Sequence, residues 1–211
     1  MTATLRHAVI LCWIAGYVDA IGYFRFGHVF TANMTGNTVL LAASLVRMDD
    51  IYQTYAVTIT SFIVGVACAI FLKSRGHSPI IFLVLNAILL TCLWLFEAGS
   101  FIALCSLAFS MGMQAASIQS FSGIRLPTVV VTSTLVQLTE EVLTRAFAIP
   151  ANGTQGRPAR LRHMASAWLA YGVGAASAVG AGDWAMSLLL PPLLYIVVAI
   201  DLFRQRAAHL S

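Results

Sequence analysis

The sequence predicts an all-α polytopic membrane protein, with about six transmembrane helices and two discontinuous half-helices in an inverted internal repeat. Three observations predict it. Hydrophobic residues make up 59% of the chain and charged residues 9%, against roughly 25% charged in ordinary soluble domains, and the mean hydropathy is +0.86. The apolar runs are also too long and continuous for barrel strands of about 9–11 alternating residues, so helices must satisfy the backbone inside the bilayer. Finally, two threonine-rich polar stretches interrupt the apolar pattern at corresponding places in the two halves of the chain.

The first helix is expected over residues 7–25, enough to cross a hydrocarbon core of about 30 Å. It outruns the roughly 7–15-residue core of a signal peptide, and no small-x-small cleavage site follows, so it reads as a retained helix. Asp19 lies well inside it, in Gly16-Tyr17-Val18-Asp19-Ala20. Next comes Phe30-Thr31-Ala32-Asn33-Met34-Thr35-Gly36-Asn37-Thr38, which holds two amides and three threonine hydroxyls. From Thr35 to Val46 about 12 residues suit a helix, spanning roughly 18 Å. That is about half a bilayer, so an extended segment leading into a half-helix is expected.

Full-length helices follow at about 51–72, 80–96 and 101–121, the first two joined by the tight polar turn Lys73-Ser74-Arg75-Gly76-His77-Ser78-Pro79. A second short element is expected over 128–138, ending at Thr139-Glu140-Glu141. After the polar linker 150–162 come two closing helices, about 163–179 and 184–202. The four cysteines, Cys12, Cys68, Cys92 and Cys105, fall inside apolar helices with no CxxC pair, so they read as small packing residues and neither disulfides nor metal ligands.

The halves align directly. Gly16-Tyr17-Val18-Asp19-Ala20 matches Gly112-Met113-Gln114-Ala115-Ala116, and with one extra residue Thr31, Thr35, Gly36 and Asn37 fall on Thr128, Thr132, Ser133 and Thr134. The chain therefore reads as one membrane domain, 1–211, with repeats at about 7–73 and 101–181 and a closing helix at about 184–202. Basic residues give the orientation. If neither short element crosses and the N-terminus is cytoplasmic, Arg6, Lys73, Arg75, Arg125, Arg145, Arg157, Arg160, Arg162, Arg204 and Arg206 lie inside, and only Arg25 and Arg47 outside. Both chain ends are then cytoplasmic.

Inverted repeats with broken helices are how many secondary transporters build a site near the bilayer midplane, where half-helix N-termini offer free backbone N–H groups to an anion. The candidate substrate-binding residues are Asp19, Asn33, Thr35, Gly36, Asn37, Gln114, Thr132, Ser133 and Thr134. Each has a plainer reading. Threonine, serine and glycine are common helix-packing residues in membranes, and asparagine caps helices well. Asp19 is either an ionisable coupling group or a hydrogen-bonded latch, since a carboxylate deep in a membrane helix needs partners. Glu140-Glu141-Val142-Leu143-Thr144-Arg145 matches the EExxxR pattern of membrane-embedded CAAX-type proteases, but the histidines such an enzyme needs are missing, leaving a solvated helix end with a Glu–Arg pair. Asp201 with Arg204 reads as another interfacial pair.

The stretch GYVDAIGYFRFGHVFTANMTGNTVLLAASL resembles the signature of the YoaK-type family of bacterial inner-membrane proteins, a domain of unknown function. The GYxDA and FxxNMTGN blocks stand intact between Gly16 and Leu41, while Ser133 departs from the TG pair expected in the second half. The resemblance implies a small polytopic protein of the bacterial inner membrane and supplies no substrate. The reading that results is a small secondary transporter or permease of a small polar or anionic solute, with its site between the two half-helices. The alternatives are a non-transporting structural or regulatory membrane protein and, third, a membrane-embedded hydrolase. No enzymatic activity, catalytic residue, metal or cofactor is expected. The expected partners are the bilayer, the solute and a second copy of the chain in a homodimer, with no nucleic acid.

Overall fold

The computed structural model describes residues 3–95, 99–117, 120–121, 124–125, 131–147, 158–181 and 188–208, with side chains of 3–4, 120–121, 124–125, 131–134, 141, 144–145 and 158–160 outside that description. The described residues form eight helices and one minimal strand pair. Helix α1 covers Ala3–Arg25. The chain then reverses through Gly27 and His28, both in the left-handed region (φ 78° and 62°), while the His28 N–H donates to the Tyr23 carbonyl at 2.9 Å. An irregular segment leads to α2, Met34–Arg47, which is about 21 Å long at 1.5 Å per residue. Asn33 caps it, accepting from the Gly36 N–H at 3.2 Å, as short polar side chains do at helix starts.

Helices α3 (Tyr52–Ser74), α4 (Pro79–Leu95) and α5 (Ser100–Ser117) follow. Pro79 opens α4, where its missing N–H costs nothing, and Ser78 Oγ accepts from the Ile80 N–H at 3.2 Å. Helix α5 stops four residues short of the expected end. Lys73 Nζ donates to the Ala116 carbonyl at 3.2 Å, satisfying a terminal acceptor, and β1 (Ser120–Phe121) then pairs antiparallel with β2 (Ile124–Arg125).

The second short element, α6, covers Val131–Ala146. It continues well past the expected end at residue 138, because glutamates are good helix formers and do not stop a helix that lies partly exposed. Helices α7 (Pro158–Gly180) and α8 (Leu190–Ala208) complete the chain. Among the described residues, Leu5–Arg25, Tyr52–Ser74 and Ser100–Ser117 are long and apolar enough to cross a membrane, and Pro79–Leu95 is a shorter apolar helix.

Two helix crossings are close enough to exclude any side chain. A Cβ on Gly16 would collide with the carbonyl of Tyr171, and one on Gly174 with the carbonyl of Trp13, where α1 meets α7. Where α3 meets α5, Gly65 stands against the Phe109 carbonyl and Gly112 against that of Phe62. Such approach of backbones through small residues is a principal way membrane helices bind each other. Around these crossings α2 packs on α3 and α6 on α7, α4 touches α5 and α8, and α8 touches α1. The main core gathers side chains of α1, α4, α5 and α8, among them Leu11, Leu83, Met111 and Tyr195.

Two contacts fix which helix ends lie together. Val29, Tyr55 and Leu104 form one buried cluster with Phe26, so α3 and α5 both begin where α1 finishes. At the opposite end His7 Nε2 lies 2.7 Å from Asp201 Oδ2, joining the start of α1 to the end of α8. Asp201 does not pair with Arg204 as the sequence suggests. Its carboxylate faces α1, where Arg6 (3.4 Å) and His7 reach it, and Gln205 adds a third donor at 3.1 Å. The four cysteines are free thiols, Cys12 buried and the others partly so.

Candidate functional site

The polar motif is built on one buried carboxylate. Asp19 Oδ1 accepts from the backbone N–H groups of Thr31 (2.7 Å), Ala32 (2.6 Å) and Asn33 (3.3 Å), with the Thr31 hydroxyl at 3.4 Å. Consecutive N–H groups turned toward one point form a concavity for an anion, and here the chain's own carboxylate fills it. Asp19 Oδ2 accepts from the Tyr171 hydroxyl of α7 at 2.5 Å. Both oxygens are therefore occupied, and the side chain is buried. In a low-dielectric interior such charge-assisted bonds are the strong ones.

Asn37 completes the brace. Its Nδ2 donates to the Phe30 carbonyl at 2.6 Å and its Oδ1 accepts from the Phe30 N–H at 2.9 Å, an amide standing in for a paired backbone. The Phe30 ring stacks on Tyr23 with centroids 4.9 Å apart, holding the irregular segment against the end of α1. Gly36 sits where a Cβ would come within 3.0 Å of both the Asn33 amide and the Phe30 ring. Thr35 is exposed. Thr38, also exposed, returns its hydroxyl to the Met34 carbonyl at 2.9 Å. Thus Asp19, Asn33, Gly36 and Asn37 come together, whereas Thr35 points away from them.

Gln114 belongs to a different polar group. Its Nε2 donates to the Leu11 carbonyl of α1 at 3.1 Å, and its Oε1 accepts from the Tyr195 hydroxyl of α8 at 2.6 Å. All of this is fully buried, and Ser110, one turn away on α5, is buried as well. Of Thr132, Ser133 and Thr134 the structure gives the helical backbone at the start of α6, their side chains lying outside the described residues. Glu140 is exposed, and the side chains of Glu141 and Arg145 fall outside the description. Among the described residues no cluster of three or more His, Cys, Asp or Glu could hold a metal ion.

Three buried polar residues do not emerge from sequence reasoning: Tyr171 and Tyr195, which belong to these groups, and Asn86, which bonds to neither. The tyrosines look like ordinary apolar-helix residues until their hydroxyls meet Asp19 and Gln114. Asn86 had a signal, a lone amide in Leu83-Val84-Leu85-Asn86-Ala87-Ile88-Leu89. It is buried on the α4 face that carries core residues Leu83, Ala87 and Leu90, and neither its Nδ2 nor its Oδ1 has a hydrogen-bond partner among the described residues.

With this geometry in view, the comparisons with known proteins are specific. A family model described as "Protein of unknown function (DUF1275)" matches residues 7–200, nearly the whole chain. The chain belongs to this family. It is also 33% identical over 178 residues to the UPF0700 transmembrane protein YoaK of Bacillus subtilis (strain 168), covering 79% of this chain and 78% of that protein. A transmembrane relative of that likeness, together with long apolar helices, makes this family member a helical membrane protein. No solved structure matches the chain.

Proposed function

We propose that the protein is a small secondary transporter or permease for a small polar or anionic solute, described here in a closed conformation. It would sit in the bacterial inner membrane with both chain ends cytoplasmic, alone or as a homodimer. The observation that carries this reading is the matched packing of two chain halves. Taking α1–α4 and α5–α8 as equivalent, the α1–α7 crossing corresponds to α5–α3, α2 on α3 to α6 on α7, and α4 on α5 to α8 on α1. The glycines follow the same scheme. Gly16 and Gly112 occupy matching places at the two crossings, as do Gly65 and Gly174. One spacing of 109 positions separates both Gly65 from Gly174 and Asn86 from Tyr195.

The arrangement of helix ends supports inversion of one half against the other. Since α5 begins where α1 finishes, the two matching helices run in opposite directions, and α2 returns to the side it left. Inverted repeats with short, interrupted helices are a building plan of secondary transporters, with sites near the midplane. On this reading Asp19 braces the first half-helix. The solute would be met by the buried polar side chains of the central helices, Asn86, Gln114 and Tyr195, once they open.

The test is a screen of the purified protein against small anions, amino acids and nucleobases, by thermal stabilisation and then by uptake into proteoliposomes. At least one class is expected to stabilise the protein and to accumulate. Failure of every class in both formats would overturn the reading. A second reading, a non-transporting structural or regulatory membrane protein, is favoured by one observation: the donors around Asp19 are spent on the chain itself, leaving that carboxylate nothing to offer a ligand.

A further inference from the structure

A groove at the opposite end of the molecule from the polar motif is built for an amphiphile. It has a volume of about 330 Å³ and lies between the start of α1 and the end of α8, lined by Arg6, His7, Ile10, Val197, Val198, Ile200, Asp201 and Arg204. Its polarity is graded. Arg6 and Arg204 stand at the rim, while Ile10 lies one helical turn further along α1 and Val197 about 10 Å from Arg204 along α8. The one carboxylate, Asp201, already has an oxygen engaged by Arg6, His7 and Gln205. Arg204 forms no ion pair with a described residue, and Arg206 adds a further positive charge in the same last turn.

We propose that this groove binds an anionic phospholipid. Its phosphate would meet Arg6 and Arg204, and one acyl chain would lie over Ile10, Val197 and Ile200. Charge complementarity favours this occupant: the rim carries more positive than negative charge, and the floor is aliphatic. Basic pockets between membrane helices at the headgroup level are where such lipids are held, each basic side chain adding to the attraction. The hydrocarbon floor, which an inorganic anion could not use, separates a lipid from a free phosphate. Transport is not required for this site to exist.

The experiment compares thermal unfolding in neutral detergent supplemented with dioleoylphosphatidylglycerol, dioleoylphosphatidylcholine or inorganic phosphate, with native mass spectrometry of the retained lipid. Phosphatidylglycerol is expected to raise Tm by about 4 °C over phosphatidylcholine and to remain bound. Inorganic phosphate should give no shift. The Arg6→Gln/Arg204→Gln variant should lose the difference between the two lipids. Val197→Trp, which fills the groove without touching a charge, should lose it too. Equal shifts with both lipids, a shift reproduced by phosphate, or full phosphatidylglycerol preference in either variant would overturn the proposal.

Discussion

Asp19 on α1 and Tyr171 on α7 are joined by a 2.5 Å hydroxyl–carboxylate hydrogen bond across the α1–α7 crossing. The glycines make that bond reachable. Gly16 lies one turn before Asp19 and packs directly on the backbone of Tyr171 itself, while Gly174, one turn beyond Tyr171, packs on Trp13. Without those two approaches the helices would stand further apart and the hydroxyl would fall short. Removing the hydroxyl tests the bond directly. Tyr171→Phe leaves a buried carboxylate oxygen without its donor and should cost about 1–3 kcal/mol. The measurement is the unfolding midpoint in detergent, and an unchanged midpoint would remove Tyr171 from the brace.

Asp19 itself should tolerate an amide far better than a hydrocarbon. In Asp19→Asn the remaining oxygen can face the backbone N–H groups of residues 31–33, while the new NH2 donates to the Tyr171 hydroxyl. The loss is that of charge assistance and of the acceptor for the Tyr171 proton, about 1–2 kcal/mol. Asp19→Leu strands three backbone donors and should cost about 3 kcal/mol or more. Amide hydrogen exchange at Thr31, Ala32 and Asn33 should accelerate strongly in the leucine variant and only mildly in the asparagine one. Equal exchange in both variants would mean that these amides are protected by burial and not by the carboxylate.

The two crossings should respond alike to a single methyl group. Gly16→Ala at the α1–α7 crossing and Gly112→Ala at the α3–α5 crossing each drive a Cβ into a backbone carbonyl, which only helix separation can relieve, at about 1–3 kcal/mol. Gly172→Ala is the control on α7. Nothing lies within 4 Å of its Cβ position, so the substitution should be neutral or stabilise by up to about 1 kcal/mol through helix propensity. Thermal midpoints of the three variants decide it, and a destabilised Gly172→Ala would show that the crossing extends further than the close contacts indicate.

Asn86 separates stability from function. Its amide is buried without a partner among the described residues, so Asn86→Leu should raise stability by about 1–2 kcal/mol, the cost of a buried polar group that makes no bond. If the central polar side chains serve a solute, the same variant should lose uptake. A gain in stability with full uptake would place the solute elsewhere. Lost stability would mean that the amide has a partner in the folded protein.

Much of the site was legible in the chain. Asp19 stood out because a carboxylate in a membrane helix is costly, and the half-length of α2 followed from counting helix-compatible residues before Arg47. The sequence shows Asn33 and Asn37 as two amides of which one caps the helix, and the structure gives that place to Asn33. The sequence pairs Asp201 with Arg204, its neighbour along the chain, whereas its partners Arg6 and His7 come from the other end. The full length of α6 is hidden in the sequence because Glu140-Glu141 looks like a terminus, whereas the helix runs on to Ala146.

Read along the chain alone, the residues establish a helical membrane protein, an Asp19 that needs partners, and a polar motif ahead of a short helix. Composition and periodicity carry those facts because they follow from the solvent and from local backbone geometry. Only the tertiary structure decided that Asp19 is answered by backbone amides of residues 31–33 and by Tyr171, 152 positions away. It alone turned four scattered glycines into two matching crossings and left Asn86 without a partner among the described residues. Such pairings are made between helices, where the gain from each hydrogen bond or backbone approach depends on which surfaces meet, and that information is not written along any single helix.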